Sequence, residues 1–201
     1  MAILVSEKNF AETCVPPFLD VPCDHWAIEY IRAMKEAGIT AGYPDGTFKP
    51  NAPLTRAEAA AFIIRALEGE LISYSSKPYF ADVLPNHWAF KYIQKAKEKK
   101  IVKGYPGTNL YYPDKPITRE ELAKMLVMAL VSEKILMPVV SSKCLKGSPF
   151  PDVEQDRWSC RYIEILKNLG IITGYPDGTF RPKNFATRAE MAAVIYRIFL
   201  S

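Results

Sequence analysis

The sequence predicts a mainly α fold assembled from three copies of one unit, and three observations carry that expectation. FLDVPCDHWAIEYI, from Phe18, returns as FADVLPNHWAFKYI from Phe80 and as FPDVEQDRWSCRYI from Phe150. Each copy is followed by a Gly-Tyr-Pro loop: GYPDGTFKP at Gly42, GYPGTNLYYP at Gly104 and GYPDGTFRP at Gly174. Each loop leads into LTRAE (Leu54 to Glu58), ITREE (Ile117 to Glu121) or ATRAE (Ala186 to Glu190), and then into an apolar run of helical period.

The first helix of each unit is expected to start at Asp24, Asn86 or Asp156, a short polar acceptor ahead of the apolar positions. Trp26, Tyr30, Met34 and Ala37, and in the third copy Trp158, Tyr162, Leu166 and Leu169, then fall on one helical face. Gly38 and Gly170 suit the left-handed residue that ends such a helix, whereas the second copy has Lys100 there and predicts a less regular end. Tyr-Pro-Asp-Gly is a strong turn signal, and the Thr-Phe after it suits a short extended piece. The second helix opens with a capping box. Thr55, Thr118 and Thr187 accept from the backbone three residues on, while Glu58, Glu121 and Glu190 reach back to the cap amide.

These signals divide the chain into an N-terminal segment (residues 1–17), three repeats (18–67, 80–130 and 150–201) and two serine- and proline-bearing linkers (68–79 and 131–149). Half the residues are apolar, which excludes disorder. The charge is +4, from 26 Lys plus Arg against 22 Asp plus Glu, with the basic residues scattered among acidic ones, so nucleic acid is not the expected partner. No apolar run of 18 or more residues is present to span a bilayer, and MAILVSEKNF lacks the pattern of a signal peptide. The chain reads as compatible with a fragment of a longer one.

The capping box explains threonine and glutamate but not arginine. A cation in the first helical turn faces the positive end of the helix dipole, an exposed-site penalty of roughly 0.3 to 1 kcal/mol. At 100° per residue, the apolar positions three, four, seven and eleven beyond each arginine lie within about 60° of its direction. For Arg56 these are Ala59, Ala60, Ile63 and Leu67; for Arg119, Leu122, Ala123, Leu126 and Leu130; for Arg188, Met191, Ala192, Ile195 and Phe199. Each arginine thus points along the buried seam, to its open end, where a guanidinium and free helix amides make an anion site. The alternative is an ion pair with a neighbouring unit, for which Asp20, Asp82 and Asp152 are the recurring candidates.

The ordered motifs F-x-D-V, H-W-A, G-Y-x-D-G-T-F and T-R-A-E, recurring three times over about residues 18 to 67, 80 to 130 and 150 to 200, resemble three tandem S-layer homology (SLH) repeats. The resemblance implies one pseudo-threefold domain, monomeric, with a central three-helix bundle and three prongs. It also implies a non-covalent anchor on the bacterial cell surface, binding acidic secondary cell-wall polysaccharide through pyruvylated sugars in grooves between adjacent repeats. A pyruvate ketal offers a carboxylate that a guanidinium grips in a bidentate fork, a role that falls to Arg56, Arg119 and Arg188. Sugar C–H faces suit aromatic partners, for which Trp26, Trp88, Trp158, Tyr43, Tyr105 and Tyr175 are the candidates; core packing is the other reading of each. Asp20, Asp82 and Asp152 are candidates to take sugar hydroxyls or orient an arginine.

The units differ. Gly104 to Arg119 spans 15 residues where Gly42 to Arg56 spans 14, and Arg157 replaces His25 and His87. Non-equivalent grooves are expected, with the second-unit loop altering or silencing its own. Three other classes compete with a glycan anchor. No nucleophile with its base and orienting group stands out, so an enzyme is not expected, nor a cofactor. Cys14, Cys23, Cys144 and Cys160 match no close CxxC zinc spacing, so no metal is expected. Their positions around the start of the first helices suggest disulfides Cys14–Cys23 and Cys144–Cys160 in an exported protein, with other pairings or four buried thiols as alternatives. The remaining competitor is a structural, self-assembling or protein-interaction module of a surface protein.

Overall fold

The computed structural model describes residues 14–69, 73–141 and 143–201. Most of the segment read as N-terminal, and residues 70–72 and 142 of the two linkers, lie outside the described residues. Six α-helices follow in order: α1 (Ile28–Glu36), α2 (Arg56–Glu68), α3 (Phe90–Glu98), α4 (Arg119–Ser132), α5 (Cys160–Asn168) and α6 (Arg188–Ile195), the last continuing as a π-helical turn (Tyr196–Leu200). The fold is mainly α, two helices to a unit, and no strand forms among the described residues.

The second helix of each unit packs on the first helix of the next: α2 on α3, α4 on α5, and α6 back on α1. At the centre, α2 also meets α4 and α6. The segments leading into α2, α4 and α6 are extended and close a triangle of backbone hydrogen bonds. Leu54 donates to the Ala186 carbonyl (2.8 Å), Ala186 to Ile117 (3.0 Å) and Ile117 to Leu54 (2.9 Å). All three side chains are buried there, so no unit completes its backbone bonding or its core without both others.

The first helices start later than the sequence suggests. Ala27, Ala89 and Ser159, not Asp24, Asn86 and Asp156, flank them, and no side-chain oxygen caps them. A tight turn comes first, in which the Nδ1 of His25 accepts the Ala27 amide and that of His87 the Ala89 amide, both at 3.1 Å. This displaces the buried stripe to Ile28, Ile31 and Met34 in α1, and leaves Trp26, Trp88 and Trp158 exposed (58%, 54% and 42%), against core packing as their role. Leu169 is likewise exposed while Leu166 is buried.

The end of α3 is as regular as the other two, contrary to expectation. Lys100 takes φ 61°, beside φ 70° at Gly38 and 71° at Gly170, and Ile101 donates to Ala96 as Ile39 does to Met34. Packing of Ile101 and Val102 into the core forces the left-handed turn on a lysine. Lys100→Gly is therefore expected to raise the unfolding free energy in urea by about 0.5 to 1 kcal/mol, strain relief outweighing glycine's added chain entropy.

The Gly-Tyr-Pro loops close by a backbone bond from Tyr43 to the Thr47 carbonyl and from Tyr175 to Thr179, both 2.8 Å. In the longer second loop Tyr105 donates to Leu110 instead, at 3.0 Å. A Cβ on Gly174 would lie 2.6 Å from the Phe150 ring, which is why the loop begins with glycine; Gly42 abuts Phe18 in the same way. Two disulfides, Cys14–Cys23 and Cys144–Cys160, tie the segments preceding units 1 and 3 to those units.

Candidate functional site: the grooves between units

All three capping boxes are formed. The hydroxyls of Thr55, Thr118 and Thr187 accept the amides of Glu58, Glu121 and Glu190, whose carboxylates return to the cap amides at 2.9 Å. Each arginine, starting the same turn, crosses into the next unit of the ring. Arg56 donates through Nε to the Tyr111 carbonyl (2.9 Å), Arg119 to Phe180 (2.7 Å) and Arg188 to Phe48 (2.6 Å). The guanidinium of Arg188 lies over the rings of Tyr43 and Phe48, that of Arg119 over Tyr175 and Phe180, and that of Arg56 over Tyr105 and Tyr111, at 4.5 to 5.0 Å from the ring centres.

The ion partner of each arginine is the capping-box glutamate of the next unit, not an aspartate. Arg188 pairs closely with Glu58, and Arg119 with Glu190 at 2.7 Å. The same glutamate oxygens accept Tyr43 (2.8 Å) and Tyr175 (2.7 Å). Burial first, and then this bond, pushes Tyr43 up to about 12 and raises Tyr175, so both hydroxyls remain proton donors at neutral pH. One glutamate thus serves its own helix cap, its own loop tyrosine and the arginine of the preceding unit. That ion pair offsets the helix-dipole penalty on the arginine.

Asp20, Asp82 and Asp152 do not pair with the arginines. Each grips two successive amides of its own unit: Phe48 and Lys49 (both 2.7 Å), Tyr111 and Tyr112 (2.8 and 2.6 Å), and Phe180 and Arg181 (2.8 and 2.6 Å). Lys49, Tyr112 and Arg181 are left-handed (φ 56 to 58°). The carboxylate holds this corner, and with it the carbonyl that receives the arginine.

The groove between units 1 and 2 departs from this pattern. Glu121 stands 3.9 Å from Arg56, and the Tyr105 hydroxyl is 3.5 Å from Glu121. A second nitrogen of Arg56 reaches only the Lys103 carbonyl, at 3.4 Å. A cleft of about 530 Å³ is lined by Arg56, Glu121, the Gly104–Pro106 loop, residues of α4 and Trp158 of unit 3. Permuted by one unit, Arg119, the Gly174–Pro176 loop, α6 and Trp26 of unit 1 line a second cleft of about 580 Å³. The structure thus brings each of these arginines together with a loop tyrosine of the next unit and a tryptophan of the one after. The aspartates stand behind the loops. Residue spacing within one unit missed Glu121 and Glu190 as groove residues; their recurrence with the arginine in T-R-x-E was the available signal.

A ring of three units with charged clefts between neighbours defines a tandem-repeat domain whose candidate sites are shared between repeats. The family model described as the S-layer homology domain matches residues 17–60, 79–123 and 149–192, well over half of the sequence, and the chain belongs to that family. It is 40% identical to Cell surface glycoprotein 1 of Acetivibrio thermocellus over 78% of this chain and 7% of that protein. Identity is 37% to the Cellulosome-anchoring protein of the same organism, over 92% of this chain and 39% of that protein. With an S-layer protein of Bacillus licheniformis it is 34%, over 89% and 19%. The chain therefore spans well under half the length of these relatives. Among the described residues no helix is long and apolar enough to cross a membrane, and no cluster of three His, Cys, Asp or Glu suits a metal.

Proposed function

We propose that this chain is a non-catalytic anchoring module of a cell-surface, wall-associated protein, and that it binds acidic secondary cell-wall polysaccharide through a pyruvylated sugar. Family membership and relatives named for cell-surface, S-layer and anchoring roles support the location and the anchoring. The observation that carries the ligand reading is Arg56. It is 7% exposed, opens on a cleft of about 530 Å³ with aromatic walls, and its nearest carboxylate stands off at 3.9 Å. A ketal carboxylate entering there takes the guanidinium's outward donors, while Trp158 and Tyr105 offer flat faces to the sugar. Arg119 and Arg188, held by Glu190 and Glu58, act first as seams between units, with the Arg119 cleft, walled by Trp26 and Tyr175, as a second and weaker site.

Calorimetric titration of the whole chain with a pyruvylated monosaccharide, against the same sugar without pyruvate, tests this. Binding is expected to need the ketal, and Arg56→Ala to weaken it by about 1.5 to 3 kcal/mol, roughly ten- to a hundredfold. Binding that ignores either the ketal or Arg56 would refute the assignment.

A further inference from the structure

The second helices carry one more cation each, and its position differs between units. In units 1 and 3 it is Arg65 and Arg197, nine residues beyond the helix-opening arginine, with Ala61 and Ala193 five residues beyond it. Unit 2 has Met128 at the former position and Lys124 at the latter, so its cation sits about one turn nearer Arg119 along the helix. The two arginines are tied down: Arg65 to the Ile39 carbonyl (3.1 Å) and the Tyr92 hydroxyl (2.9 Å), Arg197 to the Ile171 carbonyl (2.8 Å). Lys124 has no such tie among the described residues. Its ammonium lies 5.7 Å and 5.9 Å from the ring centres of Trp158 and Tyr162. It is half-buried in the groove that holds Arg56, and Lys103 lines the same groove.

Burial first, and then the charge of Lys103, holds the Lys124 ammonium below the usual lysine range. Two like charges facing one cleft repel each other, and an anion between them removes that repulsion; Glu121, the carboxylate lining the same cleft, bonds its own helix cap and stands 3.9 Å from Arg56. Neither other groove reproduces the arrangement, because Ala41 and Thr173 stand where unit 2 has Lys103.

We propose that Lys103 and Lys124 form a second anion position in the groove between units 1 and 2. This groove then takes a glycan segment carrying two negative groups, one on Arg56 and one on the lysine pair. The inference rests on the glycan reading above and specifies its ligand: the second group is a carboxylate or a phosphate, both of which ammonium groups bind as point charges. Lys124 sets specificity here and does not support the fold, since alanine stands at the equivalent positions of units 1 and 3.

The test compares three probes on the whole chain at low salt: a pyruvylated monosaccharide, a disaccharide carrying that ketal and a second carboxylate, and the same disaccharide with a phosphate instead. The doubly charged probes are expected to bind about tenfold more tightly than the monosaccharide. Lys124→Ala should remove that advantage while leaving the monosaccharide's affinity within about twofold, and Lys124→Arg should keep it. Which doubly charged probe gains more identifies the second group. A ratio unchanged by Lys124→Ala, with the monosaccharide still dependent on Arg56, overturns this inference alone. No binding of any probe overturns both it and the glycan reading.

Discussion

Arg188→Ala is expected to lower the unfolding free energy by about 3 to 5 kcal/mol, a large share of the 5 to 15 kcal/mol typical of a domain. The side chain is 3% exposed, its Nε bonds the Phe48 carbonyl, and its ion pair with Glu58 is the most buried of the three arginine pairs. Removing it leaves the Glu58 carboxylate with the Tyr43 hydroxyl and the cap groups only, and strips the cation from between Tyr43, Phe48 and Phe62. Arg188→Lys should recover less than half of the loss, because an ammonium cannot serve the carbonyl and the carboxylate in one plane. Urea denaturation should rank Arg188→Ala above Arg119→Ala, and both above Arg56→Ala, whose carboxylate already stands off. Equal losses at the three positions would contradict the description of one arginine as loosely paired and two as closely paired.

The second large effect is expected at the α4–α5 contact, where three residues are peculiar to one seam. Arg157 forms a fork on Glu120 (2.8 and 2.9 Å), and the buried Ser159 hydroxyl donates to the same carboxylate at 2.7 Å. The equivalent positions elsewhere are Ala57 and Ala189 for Glu120, His25 and His87 for Arg157, and Ala27 and Ala89 for Ser159. Arg157→Ala strands a buried carboxylate and should cost about 3 kcal/mol. The triple variant Glu120→Ala, Arg157→His, Ser159→Ala, which installs what the other seams carry, should return to within about 1 kcal/mol of the parent. A triple variant as unstable as Arg157→Ala would mean that this seam depends on the ion network for more than local charge balance.

Much of the fold was legible because its signals are local. The capping boxes need only four consecutive residues each, and the threefold repeat is plain in the motifs themselves. The late starts of α1, α3 and α5 are not legible because a turn precedes each helix, with Ile28, Phe90 and Cys160 donating to the carbonyls of His25, His87 and Arg157, and in the first two units a histidine ring, rather than the preceding Asp or Asn, receives the first free amide. The regular turn at Lys100 is not legible either, because glycine preference describes the cost of a left-handed residue, whereas packing of the two residues after it decides whether that cost is met. The arginines meet the capping-box glutamates of the next unit rather than the recurring aspartates. Asp20, Asp82 and Asp152 accept the backbone of their own loops, a contact about 28 residues away along the chain that periodicity does not register.

By itself the sequence determined that this chain is a mainly helical, three-unit member of the S-layer homology family, and which arginines recur at its helix starts. Those properties reside in short motifs, and short motifs survive being read one unit at a time. Only the tertiary structure decided which glutamate meets which arginine, and that the pairing is close in two grooves and loose in the third. It also decided that the cations of Lys103 and Lys124 share the loose groove. The reason is the ring: each groove is made from successive units, α6 closes back on α1, and the segments leading into α2, α4 and α6 are bonded to one another at the centre. A single residue added between Gly104 and Arg119 alters the loop at one groove, and no motif read along the chain reports the distance that results.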